Sequence, residues 1–351
     1  MNAKRKARKT RGFIIVLILI VFLILSAIIA LRLYKGIFYS NVRIPDSEKN
    51  EVELFIPTAS TFEEVLNIIN EADILKSEIN FRLLAEKMNY PAHVHAGRYI
   101  IKRGMSNYDL IRKLRSGESD PMMVEIDKVS SVEELASKVG KVLEIDSHQI
   151  AERIYSKEFL QKHGLNKNNA LVFFIPDSYE FYWNVSIDGF FTRMKKEYDK
   201  FWKDEKIALS KKIGLDPVRV NILASIVQEE ASISDEMPRI AGVYINRIKK
   251  GMRLQADPTV KFIIRHRSNP KLYLADYKIE SPYNTYIYAG LPPGPIIITR
   301  KEALDAVLNY ERHTYLYFVV KHDGSGRHVF SENYEQHKYY RNLWLKSKKN
   351  R

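Results

Sequence analysis

The sequence predicts an α+β protein in three parts: a single transmembrane helix at the N-terminus, a small α+β module and a larger α+β domain. Residues 13–31 form an uncharged and almost wholly apolar run, and strand-like segments alternate with amphipathic helices after it. From Pro217 onward, helical patterns alternate with polar, aromatic loops. The chain has 351 residues, 45% of them hydrophobic, which is enough for two domains with cores of their own.

The apolar run is long enough to cross a bilayer, because at ~1.5 Å per residue it forms a helix of roughly 28 Å. Apolar residues continue through the one weak cleavage-like site at Ser26-Ala27, so we expect an uncleaved anchor over residues 13–33. Residues 1–12 form a basic tail without acids, which the positive-inside rule places in the cytoplasm. We therefore expect a single-pass protein of the cell (inner) membrane, with everything after about residue 34 extracytoplasmic or periplasmic.

The net charge of +14 does not indicate nucleic-acid binding. Much of the basic excess lies in the N-terminal tail and at the C-terminal end rather than in a stripe interleaved with aromatic residues. The chain has no cysteine, so it has neither disulfides nor a thiolate metal site, and its histidines form no His-Glu-x-x-His pair. We expect no nucleic-acid partner, no metal and no cofactor.

Three strand-to-helix units follow the anchor, each with a hydroxyl residue placed to cap its helix. The strand-like segments are residues 52–56, 97–101 and 123–126, and the capping residues are Thr61, Ser106 and Ser131. An acid lies three residues after each hydroxyl, in or near the capping-box position. A juxtamembrane linker over residues 34–50 and a module over 51–122, whose closing helix ends at Gly117, are predicted before the larger domain at 123–345.

A helix is predicted from Pro217, and its wheel separates two kinds of side chain. Proline suits a first turn, and the apolar residues between positions 220 and 231 share one arc. Glu230 falls within this apolar arc, and Glu229 falls at its edge. The polar residues on the opposite side are Asn221, Ser225, Gln228 and Ser232.

Glu230 is the candidate catalytic carboxylate. An ionised carboxylate without a partner on an apolar face costs several kcal/mol, so it either finds a cation or keeps its proton through a raised pKa. A protonated carboxyl is the general acid that glycoside cleavage requires. The alternative is a buried glutamate neutralised by an arginine such as Arg239 or Arg247, and the wheel does not separate the two.

Polar and aromatic segments downstream are candidates for holding a sugar. Asn284 and Thr285 lie between Tyr283 and Tyr286, which combines hydrogen-bonding groups with flat rings; the alternative is a capped turn. Residues 290–295 (GLPPGP) predict a stiff, turn-rich wall. The aromatic run at 173–183 is expected mainly in the core, with a loop that presents rings to a ligand as the alternative.

The order and spacing of these segments resemble the YceG-like (MltG-type) endolytic murein transglycosylases. The resemblance runs from the anchor to about residue 345, and it is most specific at residues 224–231 (ASIVQEEA), 246–247 (NR), 251–258 (GMRLQADP), 283–286 (YNTY), 290–294 (GLPPG) and 315–318 (YLYF), with 328–330 (HVF) and His337. Glu230 matches the glutamate that closes the family motif Ser-Ile-Val-x-x-Glu. One departure is Leu171, where the family usually has a glutamate.

The resemblance implies a LysM-like subdomain at residues 51–122 and an endolytic transglycosylase domain at 123–345. It also implies non-hydrolytic cleavage of the β-1,4 bond between N-acetylmuramic acid and N-acetylglucosamine within nascent strands, which leaves 1,6-anhydro ends and ends strand elongation. Glu229 and Asp257 are possible helpers of Glu230. The residues expected to bind substrate are Asn246, Arg247, Gln255, Asp257, Tyr283, Asn284, Thr285 and Tyr286.

Two other classes of function stay open at this point. A non-catalytic peptidoglycan-binding scaffold at the membrane predicts binding without products, and a hydrolytic muramidase predicts reducing ends. In each class the partners are glycan strands and the membrane, which the N-terminal helix would cross. Peptidoglycan synthases are further partners that this location suggests.

Overall fold

The computed structural model describes residues 2–46, 48–267 and 271–349, and it has the mixed α and β composition that the sequence predicts. It divides into two compact units. The first comprises residues up to 122 together with 181–184, and the second comprises 123–180 and the residues from 185 onward. The side chains of residues 1–12, the predicted basic tail, lie outside the described part of the structure.

Helix α1 (Asn2–Phe38) contains the predicted transmembrane segment and continues five residues past its expected end at 33. Within the described residues, the stretch from Phe13 to Phe38 is the one helix that is long and apolar enough to cross a membrane. All its side chains from 13 to 35 are exposed. An apolar helix without protein around it suits a lipid environment, so its length, composition and exposure are consistent with membrane anchoring.

The first unit packs helices on a two-stranded antiparallel sheet. Strands β1 (Glu51–Ile56) and β2 (Gly97–Lys102) pair with Glu51 opposite Lys102 and Ile56 opposite Gly97. The segment predicted as a linker belongs to this unit, because Val42 is buried in its core. After α1, its elements are β1 (Glu51–Ile56), α2 (Phe62–Glu71), α3 (Glu78–Lys87), β2 (Gly97–Lys102) and α4 (Asn107–Ser116).

The predicted helix ends are confirmed. Thr61 forms a full capping box with Glu64, and Ser106 and Ser131 each accept a hydrogen bond from the backbone N–H three residues on. Gly117 closes α4 in the left-handed conformation, with φ 71°. Local side chains therefore satisfy the helix termini, as the spacing of hydroxyl and acidic residues indicates.

The second unit is mainly helical, and its described residues form two small sheets: β3 (Met122–Ile126) with β4 (Asp177–Phe181), and β5 (Tyr317–Val320) with β6 (His328–Ser331). The pair β5–β6 is antiparallel. In chain order, the helices and strands of the second unit are β3 (Met122–Ile126), α5 (Val132–Gly140), α6 (Ser147–Tyr155), α7 (Lys157–Lys162), β4 (Asp177–Phe181), α8 (Ile187–Phe201), α9 (Asp204–Ile213), α10 (Pro217–Glu230), α11 (Met237–Lys249), α12 (Asp257–Ile263), α13 (Lys301–Leu308), β5 (Tyr317–Val320), β6 (His328–Ser331) and α14 (Tyr334–Lys349).

Most of the aromatic run forms core, as its main interpretation predicts. Phe173, Phe174 and Tyr179 are buried, whereas Tyr182 is exposed. Leu171, at the family's usual glutamate position, is also buried, in a short 3-10 helix over Ala170–Phe173. This segment therefore belongs to the apolar core, and a glutamate in place of Leu171 would have its carboxylate desolvated.

Helix α10 is the centre of the second core, and it is buried on both sides of its wheel. Asp216 caps it, Pro217 occupies its first turn, and every residue from 220 to 228 is buried. The polar side binds the segment before α13: Ile296 N–H donates to Ser225 Oγ at 3.1 Å, and Arg300 N–H donates to Gln228 Oε1 at 2.8 Å. These bonds fix the helix whose final residue is Glu230.

Candidate active site

Glu230 is the last residue of α10, and its side chain is half-buried, with one carboxylate oxygen enclosed. Its Oε2 is buried and has no hydrogen-bond partner within the described residues. Burial raises the pKa of Glu230 to about 7, and the nearby negative charge of Asp257 adds to the rise. The cations Lys261 and Arg247 act in the opposite direction without cancelling it. A carboxyl in this environment keeps a substantial protonated fraction near neutral pH.

Neither arginine offered as an alternative partner binds Glu230. Arg239 pairs instead with Glu311, its Nε lying 2.9 Å from Oε2. The Arg247 guanidinium donates to backbone carbonyls. The interpretation of Glu230 as a structural glutamate neutralised by an arginine is therefore wrong, because its buried oxygen has no partner among the described residues.

Arg247, on helix α11, holds two backbone segments near Glu230 by hydrogen bonds. Its Nε donates to the carbonyl of Leu316 at 2.6 Å, and its Nη1 donates to that of Leu254 at 2.7 Å. The guanidinium carbon lies 5.1 Å from the ring centroid of Tyr317. Arg247 thus joins three chain segments while its charge stays close enough to lower the pKa of Glu230.

Asn246, the neighbour of Arg247, is held by the segment before β5. Its Nδ2 donates to the carbonyls of His313 at 2.8 Å and Tyr315 at 3.1 Å. Gln255 is exposed, and its Oε1 accepts from Arg247 at 3.4 Å. Asn246 therefore has a structural anchor, and Gln255 is accessible to a ligand.

Asp257 begins α12 and lies close to two phenols. Tyr286 donates its hydroxyl hydrogen to Asp257 Oδ1 at 2.5 Å, and the negative charge of Asp257 also acts on Tyr277. The two rings meet edge to face with centroids 4.5 Å apart. Burial and Asp257 together raise the pKa of Tyr277 to about 12 and that of Tyr286 well above its usual range, so both phenols stay protonated donors.

The remaining predicted residues divide into loop supports and rings. Asn284 is fully buried, and its Nδ2 donates to the carbonyls of Tyr277 and Ile279. Thr285 is buried, and its hydroxyl accepts from Ala256 N–H at 3.0 Å. These contacts match the capped-turn alternative. Tyr283 is half-buried with its ring 4.7 Å from that of Phe262, so it lies at the edge of the site.

Sequence reasoning missed three residues whose charge or hydroxyl is coupled to Glu230: Tyr244, Lys261 and Tyr277. Tyr244 lies three residues before Arg247 on α11 and Lys261 four after Asp257 on α12, so helical spacing could have indicated both. Tyr277 lies in a short 3-10 helix, Asp276–Lys278, outside the recognised motifs. The other possible helper, Glu229, is exposed at the surface.

Gly294 allows the predicted wall to pack against a neighbouring loop, which gives a testable prediction. A Cβ at this position would lie 1.9 Å from the carbonyl oxygen of Asn168 and 2.9 Å from the Tyr283 hydroxyl. Because backbone cannot yield as a flexible side chain does, we expect Gly294→Ala to destabilise the protein by about 2–3 kcal/mol. Thermal or denaturant unfolding measures this.

Gly290→Ala is the matched control for this prediction. Gly290 has φ 86°, and a Cβ added to it would meet no atom within 4 Å, so alanine there adds only backbone strain, about 1 kcal/mol. If the two variants were equally stable, the close approach at Gly294 would carry no energetic weight.

Comparison with known proteins finds relatives that match most of this chain. An endolytic murein transglycosylase of Bacillus subtilis is 27% identical over 321 residues, covering 87% of this chain and 88% of that protein. One from Streptococcus pneumoniae serotype 2 is 24% identical over 354 residues, and this chain spans 63% of its length. A solved structure of a YceG-like protein from Listeria monocytogenes matches 83% of this chain and 98% of its own, with 25% identity and a TM-score of 0.56.

The family assignment follows from a further match. A family model described as the YceG-like family covers residues 54–342, which include strand β2, the second half of strand β1 and every candidate site residue. Because this match extends over most of the sequence, the chain belongs to the YceG-like family.

Proposed function

We propose that this protein is a membrane-anchored endolytic murein transglycosylase, a lyase that cuts peptidoglycan glycan strands with Glu230 as its one catalytic carboxylate. The observation that carries the proposal is the desolvated, unpartnered Oε2 of Glu230 together with a pKa of about 7. The relatives from Bacillus subtilis and Streptococcus pneumoniae, named endolytic murein transglycosylases, support the same activity.

In the proposed reaction, protonated Glu230 donates its proton to the β-1,4 glycosidic oxygen between N-acetylmuramic acid and N-acetylglucosamine. The bond from C1 to that oxygen breaks, and N-acetylglucosamine leaves with a free hydroxyl. The Glu230 carboxylate then accepts the proton of the C6 hydroxyl as that oxygen attacks C1. The new end is 1,6-anhydro-N-acetylmuramic acid, Glu230 regains its proton, and no water is consumed.

Asp257 has an electrostatic role in this scheme. Its carboxylate accepts a hydrogen bond from Tyr286, and its charge raises the pKa of Glu230. A retaining hydrolase needs a second carboxylate as nucleophile or stabiliser. The one-carboxylate scheme instead uses Asp257 to keep the proton on Glu230 until a sugar oxygen arrives.

We propose that Tyr283, Tyr286 and Gln255 contact the glycan directly. The two rings are half-buried and the amide is exposed, so each has surface to offer a sugar. Asn246, Arg247, Asn284 and Thr285 contribute to binding by holding the loops that carry these groups.

The architecture suggests where the enzyme acts. In our proposal, α1 anchors the chain in the cell membrane with its N-terminus in the cytoplasm, and residues 51–122 act as a LysM-like glycan-binding module. Residues 123–345 form the catalytic domain outside the cytoplasm. Nascent strands emerge at this membrane, so the cut would end their elongation, beside the synthases that make them.

Product analysis tests the function against its alternatives. The full chain in liposomes is incubated with uncrosslinked glycan strands, and new ends are identified by mass spectrometry. We expect internal fragments with anhydro ends, each lighter by one water than the reducing-end form. Reducing ends would indicate a muramidase, and strand binding without fragments would favour a scaffold.

Replacing Asp257 with asparagine is expected to shift the pH profile of cleavage. Removing this negative charge lowers the pKa of Glu230, because Asp257 contributes to raising it. Since the general acid must be protonated, the alkaline limb of kcat/KM should move to lower pH. Glu229→Gln, which removes an exposed carboxylate, should leave the limb in place. A limb that stays fixed or moves upward in Asp257→Asn would contradict the electrostatic role.

A further inference from the structure

We propose that the first unit rests on the membrane through an exposed apolar surface, the patch formed by Phe38, Tyr39, Ile79, Leu83 and Tyr108, which lies in the lipid headgroup layer. This inference rests on the proposed anchoring by α1. It adds a second contact with the bilayer, made by the folded unit itself.

The last turn of α1 is fixed to the helices that carry the patch. Asn107, the first residue of α4, donates from Nδ2 to the carbonyl of Gly36 at 2.8 Å. Asn41 donates to Asn107 Oδ1 at 2.7 Å. A Cβ on Gly36 would touch the Asn80 amide of α3 at 3.5 Å. The ends of α3 and α4 are therefore held directly against the end of the apolar helix.

The position of this junction along α1 places it at the membrane surface. The uncharged run ends at Leu31, and the cations Arg32 and Lys35 follow it. Gly36 lies roughly 7.5 Å beyond Leu31 at ~1.5 Å per residue. The headgroup layer is about 5–7.5 Å thick on each side of the hydrocarbon core. Groups that touch Gly36 thus lie at the outer edge of that layer.

The patch has the chemistry that this layer accepts. Ile79 is 74% exposed and Leu83 is 56% exposed, one turn apart on α3. Phe38 and Tyr108 meet with ring centroids 5.7 Å apart, and Tyr34 contacts both Phe38 and Tyr39. Aromatic rings with apolar bodies and polar tips concentrate at membrane interfaces.

Basic side chains accompany these rings. Arg112 lies over the ring of Tyr108, and Lys35 lies over that of Tyr39, at 6.0 and 5.8 Å. Cations at the rim of an apolar surface favour anionic headgroups, with which they pair while the apolar side chains enter the interface. Continuity with α1 and this mixture of apolar, aromatic and basic groups both favour a lipid surface as the occupant of the patch.

The absence of cysteine allows a direct depth measurement in the full chain. Single variants Ile79→Cys and Leu83→Cys are labelled with an environment-sensitive fluorophore and reconstituted in phosphatidylcholine–phosphatidylglycerol liposomes. Lipids carrying a quencher near the headgroup or deep in the acyl chains are then added. We expect strong quenching of both probes by the shallow quencher.

Two further positions make the result decisive. Glu118 is exposed just beyond the C-terminal end of α4, and α4 extends ~14 Å from Asn107 to that end. A probe at Glu118→Cys should therefore not be quenched. Phe22→Cys lies within α1 and should respond to the deep quencher. Quenching at Phe22 without excess quenching at Ile79 and Leu83 over Glu118 would overturn the proposal while leaving the anchor intact.

The other outcomes also overturn the proposal. Absence of quenching at Phe22 would remove the anchor on which it rests, whatever the enzyme activity. Probes at Ile79 and Leu83 that become shielded without lipid quenching, and lose that shielding when the protein is diluted in the bilayer, would show that a second copy covers the patch instead.

Discussion

Glu230→Gln should reduce glycan cleavage on the order of 10³-fold or more, because glutamine can neither donate the proton to the leaving oxygen nor remove one from the C6 hydroxyl. The side chain keeps nearly the same shape at the end of α10, so substrate binding should persist. Initial rates of anhydro-end formation measure the loss, and strand binding is measured separately.

The neighbouring Glu229→Gln is the matched control, since it makes the same chemical change one residue away on an exposed side chain. It should retain activity within about twofold, because surface substitutions away from a site change little. If Glu229→Gln were inactive and Glu230→Gln active, the catalytic assignment would be reversed.

The free energy of unfolding of Glu230→Gln, compared with that of the parent, should depend on pH in a definite direction. The pKa of Glu230 rises from an ordinary 4.5 to about 7 on folding. Its contribution to stability is therefore complete below about pH 4.5 and is lost as the pH rises through about 7. Glutamine does not titrate, so the stability of Glu230→Gln relative to the parent should rise by about 3 kcal/mol between pH 4 and pH 8. A pH-independent difference would mean that Glu230 titrates normally.

Arg247→Met should destabilise the second unit by about 3 kcal/mol or more. The substitution removes a buried guanidinium from the carbonyls of Leu316 and Leu254, which are left without their charged donor. It also removes a cation that lowers the pKa of Glu230, so that pKa should rise further. Denaturant unfolding measures the first effect, and the alkaline limb of activity measures the second.

Arg219→Met controls for the loss of an arginine from a helix of the same unit. Arg219 is exposed on the first turns of α10, and its replacement should change stability by less than about 0.5 kcal/mol. Equal stability of the two variants would show that the Arg247 contacts contribute little.

The sequence predicted those features that depend on residues close together along the chain. Hydroxyl and acidic residues at fixed spacing predicted the caps at Thr61, Ser106 and Ser131, because capping depends on residues three positions apart. The apolar arc of α10 placed Glu230 among hydrophobic neighbours, and the structure gives this carboxylate the raised pKa that such a position implies.

Features that depend on distant segments could not be predicted in the same way. The polar side of α10 is buried because Ser225 and Gln228 bind residues 296 and 300, a pairing that no helical period reveals. Tyr277 is close enough to Asp257 to be influenced by its charge, but it lies in a short 3-10 helix that no recognised motif indicates. The sequence around Asn284 predicts a sugar-binding amide. In the structure this amide donates instead to carbonyls of its own loop, because the backbone groups of a buried turn need hydrogen-bond partners.

Cleavage in water enriched in heavy oxygen tests the central claim most directly. In the proposed mechanism, Glu230 removes the proton of the C6 hydroxyl, and the C6 oxygen attacks C1 without any water. The new ends formed by the parent protein should therefore carry no solvent oxygen. They should be absent with Glu230→Gln. Incorporation of one solvent oxygen at each new end would contradict the mechanism, because it would show that water, rather than the sugar's own hydroxyl, attacks C1.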